Sequence, residues 1–389
     1  MKKTKIIVVM MLLIVIFLLI VGCSEVIEDG RASQLLAFRG LERLAVEEAE
    51  AGDIVAIAGL TKATVADTIC DPTVEQAIDS QPIDPPTLSM TFSINDSPLA
   101  GTEGDKVTSR VILDRLMREA EGNVALEITS TNDSNAFEVA GRGELQLAVL
   151  IETMRREGFE LSISRPRVVY REDPETGQRL EPIEEVVIDV DEEYSGTVVE
   201  KISARKGEML EMRPSGTGKQ RLTFHVPSRS LIGYHGEFLT DTRGTGIINR
   251  LFHGYAPYKG PIDKRRNGTL ISLGDGKAVA YALWNLEERG PMFINAGDKV
   301  YGGMIIGEHA RGNDLEVNPL KGKQLTNIRA SGKDDAVALT PPIEMGLDKA
   351  IAYIGDDELV EVTPQSIRLR KRYLDIHERK RQSRQVESA

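Results

Sequence analysis

The chain has 389 residues, of which 41% are hydrophobic, so it is long enough for two to four globular domains. Its formal net charge of -12 excludes a protein that coats nucleic acid with its whole surface, because the summed field repels phosphates at long range. Any contact with RNA must therefore be local.

The first 23 residues read "MKKTKIIVVMMLLIVIFLLIVGC", in which a lysine-rich start precedes an apolar run from Ile6 to Val21. This is the architecture of a secretory signal, and the run is slightly short for a spanning helix of about 20 residues. The ending "LIVGC" resembles a bacterial lipobox, which makes Cys23 a candidate for lipidation. A single membrane anchor and a segment joined to the rest by a gene-model error are the other interpretations of residues 1–30.

The stretch "GDIVAIAGL", residues 52–60, predicts a buried strand that opens at a Gly-Asp turn, as in small β-barrels. Too little sequence precedes it for a whole barrel. We therefore expect residues 31–80 to be the end of a barrel, in a chain that starts partway through a domain.

The hydrophobic pattern of residues 84–172 predicts the order β-α-β-β-α-β. Apolar residues alternate with Ser and Thr along "PPTLSMTFSIND", as in a half-buried strand, whereas "GRGELQLAVLIETMRREG" carries the apolar stripe of a helix. A helix in "KVTSRVILDRLMREAEGN", two strands in "VALEITSTNDSNAFEVAG" and a closing strand complete a ferredoxin-like unit.

The same order recurs over residues 180–262, with "EEVVIDVDEEYSG" as a strand, "TVVEKISARKG" as a helix and "SRSLIGYHGEFLTDTRG" as a second helix. Short β elements follow, then a helix in "IEMGLDKAIAYI" and a basic strand and helix in "SIRLRKRYLDIHERKRQSR". The predicted fold class is α+β and multidomain: a remnant of a β-barrel, two tandem ferredoxin-like domains and a mostly β C-terminal domain at 263–384 with a basic loop and tail.

No catalytic constellation is predicted. The stretch "RPSGTGKQ" has Arg213 where a P-loop needs its first glycine and Gln220 where it needs a hydroxyl, so a hairpin turn is the better interpretation. The five histidines show no metal-ligand spacing, so no metal site is expected; they are His225, His235, His253, His309 and His377.

Two cationic segments run against the overall acidic charge. "KGKQLTNIRASGK" has four basic residues and no acid, and a glycine-hinged loop of this kind can follow a phosphate backbone. The tail from Ser366 to Arg384 carries a net charge of +6. An ordinary solvated surface is the rival interpretation of such runs. The predicted RNA contacts are Lys321, Lys323, Gln324, Asn327, Arg329, Ser331, Lys333, Arg368, Arg370, Lys371 and Arg372.

Blocks such as "VTSRVILDRLMREAEGNVALEI", "PSRSLIGYHGEFLTDTRGTGIINRLFHGYAPYKG", "GKAVAYALWNLEERGPMFINAGDKVYGGMIIGEHARGNDLEVN" and "GKQLTNIRASGKDDAV" resemble, in order, those of the BipA/TypA family of ribosome-binding translational GTPases. The family is similar to elongation factor G. The resemblance covers roughly residues 31–384. It implies a domain II remnant at 31–80, units like domains III and V at 84–172 and 180–262, and the family's own C-terminal domain at 263–384.

The resemblance also implies a role in translation, ribosome assembly and stress response. In the family the last domain enters the ribosomal A site, where its basic loop lies near the tRNA acceptor end; the matching loop here is Lys321 to Lys333. The implied partners are therefore the ribosome, ribosomal RNA and the acceptor end of tRNA.

The family begins with a GTPase domain that holds a P-loop, a D-x-x-G switch and an N-K-x-D motif. We expect this chain to lack these motifs, and hence to bind no GTP or magnesium and to hydrolyse no GTP. A separately encoded GTPase domain is then a possible partner. Because the family is cytoplasmic and ribosome-associated, the signal-like start suggests a truncated gene with a spurious or fused beginning. The alternative is a membrane lipoprotein, anchored through residues 1–23, that carries a translation-factor-derived scaffold.

Overall fold

A computed structural model describes residues 30–40, 42–60, 67–74, 78, 84–216, 218–262, 267–322 and 338–387. The signal-like segment, the lipidation candidate Cys23 and residues 323–337 of the basic loop lie outside the described residues. Among the helices that are described, none is both long enough and apolar enough to cross a membrane. The chain divides into two compact units, Met1–Pro82 and Ile83–Ala389.

The first unit contains one small antiparallel sheet. Its strands are β1 (Gln34–Arg39), β2 (Glu42–Val46) and β3 (Val55–Ala58), in the order β2-β1-β3. The predicted strand is present as β3, but it is half-buried to exposed rather than buried. The reason is that the described part of this unit forms a single layer, which does not close into a barrel.

The second unit begins with the predicted β-α-β-β-α-β arrangement. Its elements are β4 (Leu88–Ile94), α1 (Ser109–Gly122), β5 (Glu127–Ser130), β6 (Ala136–Gly141), α2 (Glu144–Arg156) and β7 (Leu161–Ser164). The strands pair antiparallel in the order β5-β6-β4-β7, and the apolar faces of both helices pack on the sheet. This first ferredoxin-like unit confirms the prediction from hydrophobic periodicity.

A second ferredoxin-like unit follows two short strands, β8 (Arg167–Val168) and β9 (Arg171–Glu172). It consists of β10 (Arg179–Asp191), α3 (Glu192–Ala204), β11 (Glu208–Pro214), β12 (Lys219–Pro227), α4 (Tyr234–Asp241) and β13 (Ile247–Pro257), with the sheet order β11-β12-β10-β13. Helices α3 and α4 cover one face of the sheet.

Two element boundaries in this unit differ from the prediction. Residues 192–196, predicted as strand, form the first turn of α3, where Glu192 and Glu193 suit the positive end of the helix dipole. The predicted helix over 228–244 is divided into a 3₁₀ turn and α4, because Gly233 takes a φ of +72° between them.

In the described residues after 263, the C-terminal part adds further strands and α-helices. These are β14 (Gly268–Ser272), β15 (Gly276–Lys277), α5 (Ala280–Leu286), β16 (Lys299–Val300), β17 (Met304–His309), β18 (Leu315–Val317), α6 (Leu347–Tyr353), β19 (Glu358–Val362), β20 (Ile367–Lys371) and α7 (Ile376–Glu387). The helix predicted in residues 343–354 is present over Leu347–Tyr353 as α6, and the strand and helix of the tail are present as β20 and α7.

The C-terminal part and the first ferredoxin-like unit share a single sheet. Strand β19 pairs antiparallel with β7, from Leu359 opposite Ser164 to Val362 opposite Leu161. The strand order is β18-β14-β17-β20-β19-β7-β4-β6-β5, and β8 also pairs with β4. Strands of residues 84–172 and 263–384, which were predicted as separate domains, thus belong to one sheet of ten strands, whereas β10 to β13 belong to a separate sheet.

Candidate nucleic-acid interface

The described residues on either side of the basic loop are anchored close together. Leu320 and Leu339, on either side of it, pack against the same hydrophobic cluster. The backbone N–H of Val279 donates to the carbonyl of Pro319 (2.9 Å), and the N–H of Thr340 donates to Glu287 Oε1 (2.7 Å). Both anchors flank α5, so the described residues on either side of the loop are fixed beside one helix.

Of the residues predicted in this loop, the structure describes Lys321, whose side chain is exposed. Six others lie outside the described residues, and their RNA contacts stay predictions; they are Lys323, Gln324, Asn327, Arg329, Ser331 and Lys333.

The basic residues of β20 were predicted to contact RNA, but in the structure they do not face solvent. Arg368 forms ion pairs with Glu103 and with Glu361, the latter at 3.0 Å. Arg370 is 1% exposed and pairs with Asp96. Both guanidinium groups therefore form ion pairs with carboxylates of the same chain.

Lys371 is buried among three acids. Its Nζ lies 2.6 Å from Asp314, 2.8 Å from Asp357 and 2.9 Å from Glu358. Burial alone lowers the pKa of Lys371, but the charges of Glu358, Asp357 and Asp314 more than offset that effect and raise the pKa above the ordinary lysine value. The ammonium group is thus held charged inside the protein.

The strand register explains this correction. Residues of β19 and β20 pair directly, with Glu358 opposite Lys371 and Glu361 opposite Arg368. Oppositely charged residues at such positions attract each other, and a buried charge needs a partner. The structure thus replaces the predicted phosphate contacts of Arg368, Arg370 and Lys371 with ion pairs inside the chain.

The cations that remain at the surface lie beyond β20. Arg372 is exposed, and its predicted phosphate contact stays a prediction. On α7, exposed basic side chains recur at helical spacing and so share one face. We call this set, Lys380, Arg381 and Arg384, the basic face of α7.

The opposite side of α7 holds the helix in place. Arg379 pairs with Glu316 and donates to the carbonyls of Tyr373 (2.8 Å) and Leu374 (2.6 Å). The net charge of the tail does not separate the anchoring arginine from the exposed ones. Helical spacing of the basic residues could have made that distinction.

The expected absence of GTPase motifs needs one correction. Asp241 to Gly244 reads "DTRG", which has the spacing D-x-x-G. It forms the end of α4, where Asp241 pairs with Lys201 (2.7 Å) and Gly244 takes a φ of +78°. The tetrapeptide thus terminates a helix. The stretch "RPSGTGKQ" is the predicted hairpin turn, between β11 and β12.

The histidine spacing predicted no metal site, and that stays a prediction, but in the described residues two histidines and a glutamate lie close together. Ligand atoms of Glu185, His225 and His253 all lie within 4.8 Å of one another. The three residues come from three different strands, so spacing along the sequence could not bring them together.

Comparison with known proteins assigns two parts of the chain. Residues 267–376 match the family model described as "TypA/BipA C-terminal domain", and residues 178–266 match "Elongation factor G C-terminus". The match of residues 267–376 lies within residues 263–384, for which the sequence resemblance implied the family's own C-terminal domain.

Curated relatives match nearly the whole chain. A "Large ribosomal subunit assembly factor BipA" of Salmonella typhimurium (strain LT2) is 52% identical over 357 residues, covering 92% of this chain and 58% of the relative. That of Haemophilus influenzae is 51% identical over 370 residues, covering 95% and 60%. The chain therefore spans less than two thirds of the length of these relatives. A solved structure from Thermus thermophilus matches at 15% identity over 60% of this chain and 51% of its own, with a TM-score of 0.32 that is too low to assign a fold.

Proposed function

The chain belongs to the TypA/BipA family, and we propose that it is a ribosome- and RNA-binding portion of a translation and ribosome-assembly factor. The relatives are named as assembly factors of the large ribosomal subunit, which supports a cytoplasmic, ribosome-associated role. We propose that the loop Lys321–Lys333 lies near the acceptor end of a tRNA in the A site.

The observation that carries the RNA-binding proposal is the segregation of positive charge. Acidic partners neutralise Arg368, Arg370 and Lys371 inside the fold, whereas Lys321, Arg372 and the basic face of α7 lie at the surface. On that face Arg381 lies 3.6 Å from Glu378 but keeps 67% of its side chain exposed. An acidic protein approaches RNA only where its surface is locally cationic, and lysine and arginine side chains make the phosphate contacts.

Co-sedimentation with ribosomes over a range of salt concentrations tests this proposal. We expect the logarithm of the binding constant to fall linearly with the logarithm of salt concentration. Replacing Lys380, Arg381 and Arg384 together by alanine is expected to flatten that slope by about 0.7–0.9 for each phosphate that the removed side chains had neutralised. Lys321→Ala is expected to flatten it by one such step.

The matched control is Arg156→Ala, which removes an arginine with 77% of its side chain exposed from α2, an element that is not part of the proposed surface. This variant should keep the slope of the parent. Association that does not depend on salt, or an equal loss of affinity in the control and the α7 variant, would refute the proposed interface.

We further propose that this chain does not hydrolyse GTP, and that any GTP and magnesium chemistry of the family requires a GTPase domain supplied separately. The expected result is no GTP turnover by the purified chain on ribosomes. Turnover that appears when a separate family GTPase domain is added supports activity in trans; turnover by the chain alone contradicts the proposal.

The lipobox-like sequence favours one alternative, a membrane lipoprotein modified at Cys23. Labelling of cells with a palmitate analogue distinguishes the two. The ribosome-binding proposal predicts an unlabelled chain in the ribosomal fraction, whereas the lipoprotein predicts label that is lost in Cys23→Ser.

A further inference from the structure

We propose that Glu185, His225 and His253 form a binding site for a transition metal of the zinc class, which links three strands of the second ferredoxin-like unit. The site lies on the sheet face opposite α3 and α4. It is independent of the cationic surface proposed to bind RNA.

The sheet order brings the three residues together. Strand β10 lies between β12 and β13. Glu185 pairs with His225 on β12 and with Leu251 on β13, and His253 lies two residues beyond Leu251 on that strand. Neighbouring strands are about 4.8 Å apart, which allows two imidazoles to meet above the strand between them. The ring centroids of His225 and His253 are 3.9 Å apart.

A β-bulge in β13 contributes to this geometry. Ile183 pairs with Gly254 and the adjacent Glu184 pairs with Phe252, so His253 is left without a partner in the register. A bulge of this kind turns a side chain away from its regular direction, and bulges are frequent beside functional sites. Here the extra residue is the histidine that completes the cluster.

The ligand atoms are not used for other bonds. Glu185 Oε2 is 3.9 Å from His225 Nε2, which is too long for a hydrogen bond. Within the described residues, none of the three side chains donates or accepts a hydrogen bond. His309 shows the contrast, since its Nδ1 lies 2.5 Å from the carbonyl oxygen of Asn313.

The donor set indicates the class of metal. Two imidazoles and a carboxylate suit zinc and its neighbours, whereas magnesium prefers oxygen ligands and water. Tetrahedral zinc with bonds of about 2.1 Å places its ligand atoms about 3.4 Å apart. Since the present ligand atoms lie within 4.8 Å of one another, we expect side-chain rotation to bring them to that spacing without movement of the strands. Water would fill the fourth position, as in other zinc sites with three protein ligands.

Calorimetric titration of the tag-free full chain with zinc chloride tests the site. We expect one zinc ion per chain, no comparable binding of magnesium, and visible absorption bands when cobalt(II) occupies the site. His225→Ala, His253→Ala and Glu185→Gln should each weaken zinc binding at least about 10- to 100-fold, the loss that follows removal of an outer-sphere partner alone. His235→Ala, which removes an exposed histidine from α4, should leave the affinity unchanged.

Thermal unfolding gives a second measurement that does not depend on any one variant. A ligand that binds only the folded state raises the unfolding midpoint, so zinc should raise it in the parent and in His235→Ala but not in His253→Ala. His253 is exposed, which makes its replacement compatible with folding. Absence of saturable zinc binding by the parent, or an affinity that His225→Ala and His253→Ala leave unchanged, would overturn the proposal.

Discussion

A single buried carboxylate organises the loop that follows β4. Glu160 is fully buried and accepts hydrogen bonds from the N–H groups of Gly101 (2.8 Å), Glu103 (3.0 Å) and Gly104 (2.7 Å) and from Asn95 Nδ2 (3.0 Å). Burial alone raises the pKa of Glu160, but these donors more than offset it, so the pKa lies below the ordinary value of 4.5. The loop is thus held in place by hydrogen bonds from its own backbone N–H groups to this carboxylate.

Glu160→Gln should lower the free energy of unfolding at pH 7 by about 1–3 kcal/mol. The reason is that the NH₂ group of glutamine would face the N–H groups that now donate to one carboxylate oxygen. A lowered pKa in the folded state means that the carboxylate stabilises fully above pH 4.5 and loses this effect as the pH falls through the folded pKa. Urea unfolding at several pH values measures this. The parent should lose more stability on acidification than Glu160→Gln, and the exposed Glu121→Gln should behave like the parent.

One glycine near α5 cannot carry a side chain. Gly290 has a φ of +146°, and a Cβ built there would lie 2.0 Å from the carbonyl oxygen of Glu308. Gly290→Ala should therefore cost at least about 1–3 kcal/mol, measured by chemical denaturation. Gly297→Ala distinguishes backbone strain from the steric clash of the Cβ. Gly297 also has a positive φ, but a Cβ built there would have no atom within 4 Å. Equal destabilisation of both variants would show that the collision contributes nothing.

Between elements, polar groups tie β19 and β20 to the first ferredoxin-like unit. Glu361, on β19, accepts hydrogen bonds from Asn95 (3.1 Å), Ser97 (2.9 Å) and Tyr301 (2.6 Å), and Arg368 pairs with it. All of these groups are buried or nearly so. A charge removed from water in this way is stable only while its partners remain.

Tyr301→Phe should lower the free energy of unfolding by about 1.5–3 kcal/mol, since it removes a hydrogen bond to an ionised group in the interior. Tyr281→Phe is the matched control, because the Tyr281 hydroxyl makes no hydrogen bond within the described part of the chain. Thermal or urea unfolding compares the two. Equal stability of both variants would contradict the importance assigned to Glu361.

The elements of both ferredoxin-like units could be predicted because their signals are local. Alternation in β4 and the apolar stripe of α2 each lie within one window of sequence. The pairing of β7 with β19 has no local signal in the sequence, because it joins two strands that lie about 200 residues apart in the chain. The same limit explains the site residues: neither the carboxylates facing Lys371 nor the meeting of His225 and His253 follows from spacing along the chain.

At the scale of the whole molecule, the shared sheet should make two regions of sequence unfold together. Ile163 in β7 is fully buried and lies opposite Val360 of β19. Ile163→Ala should cost about 2–5 kcal/mol and should speed amide hydrogen exchange in β19 and β20 as much as in β4 and β6.

The control for that experiment is Leu222→Ala, a change of similar size in the core of the second ferredoxin-like unit. It should speed exchange mainly in β10, β12 and β13. If exchange after Ile163→Ala increases only within residues 84–172, the ten-stranded sheet does not act as one cooperative element.

The pairing of β7 with β19 also has a consequence for biosynthesis. During elongation, β7 leaves the peptide tunnel about 200 residues before its partner, which at roughly 5–20 residues per second is a delay of roughly 10–40 s. Throughout that interval the nascent polypeptide presents an open strand edge that can capture neighbouring chains. Slower synonymous codons after β7 would lengthen this exposure, so the yield of soluble product is expected to vary with the rate of decoding.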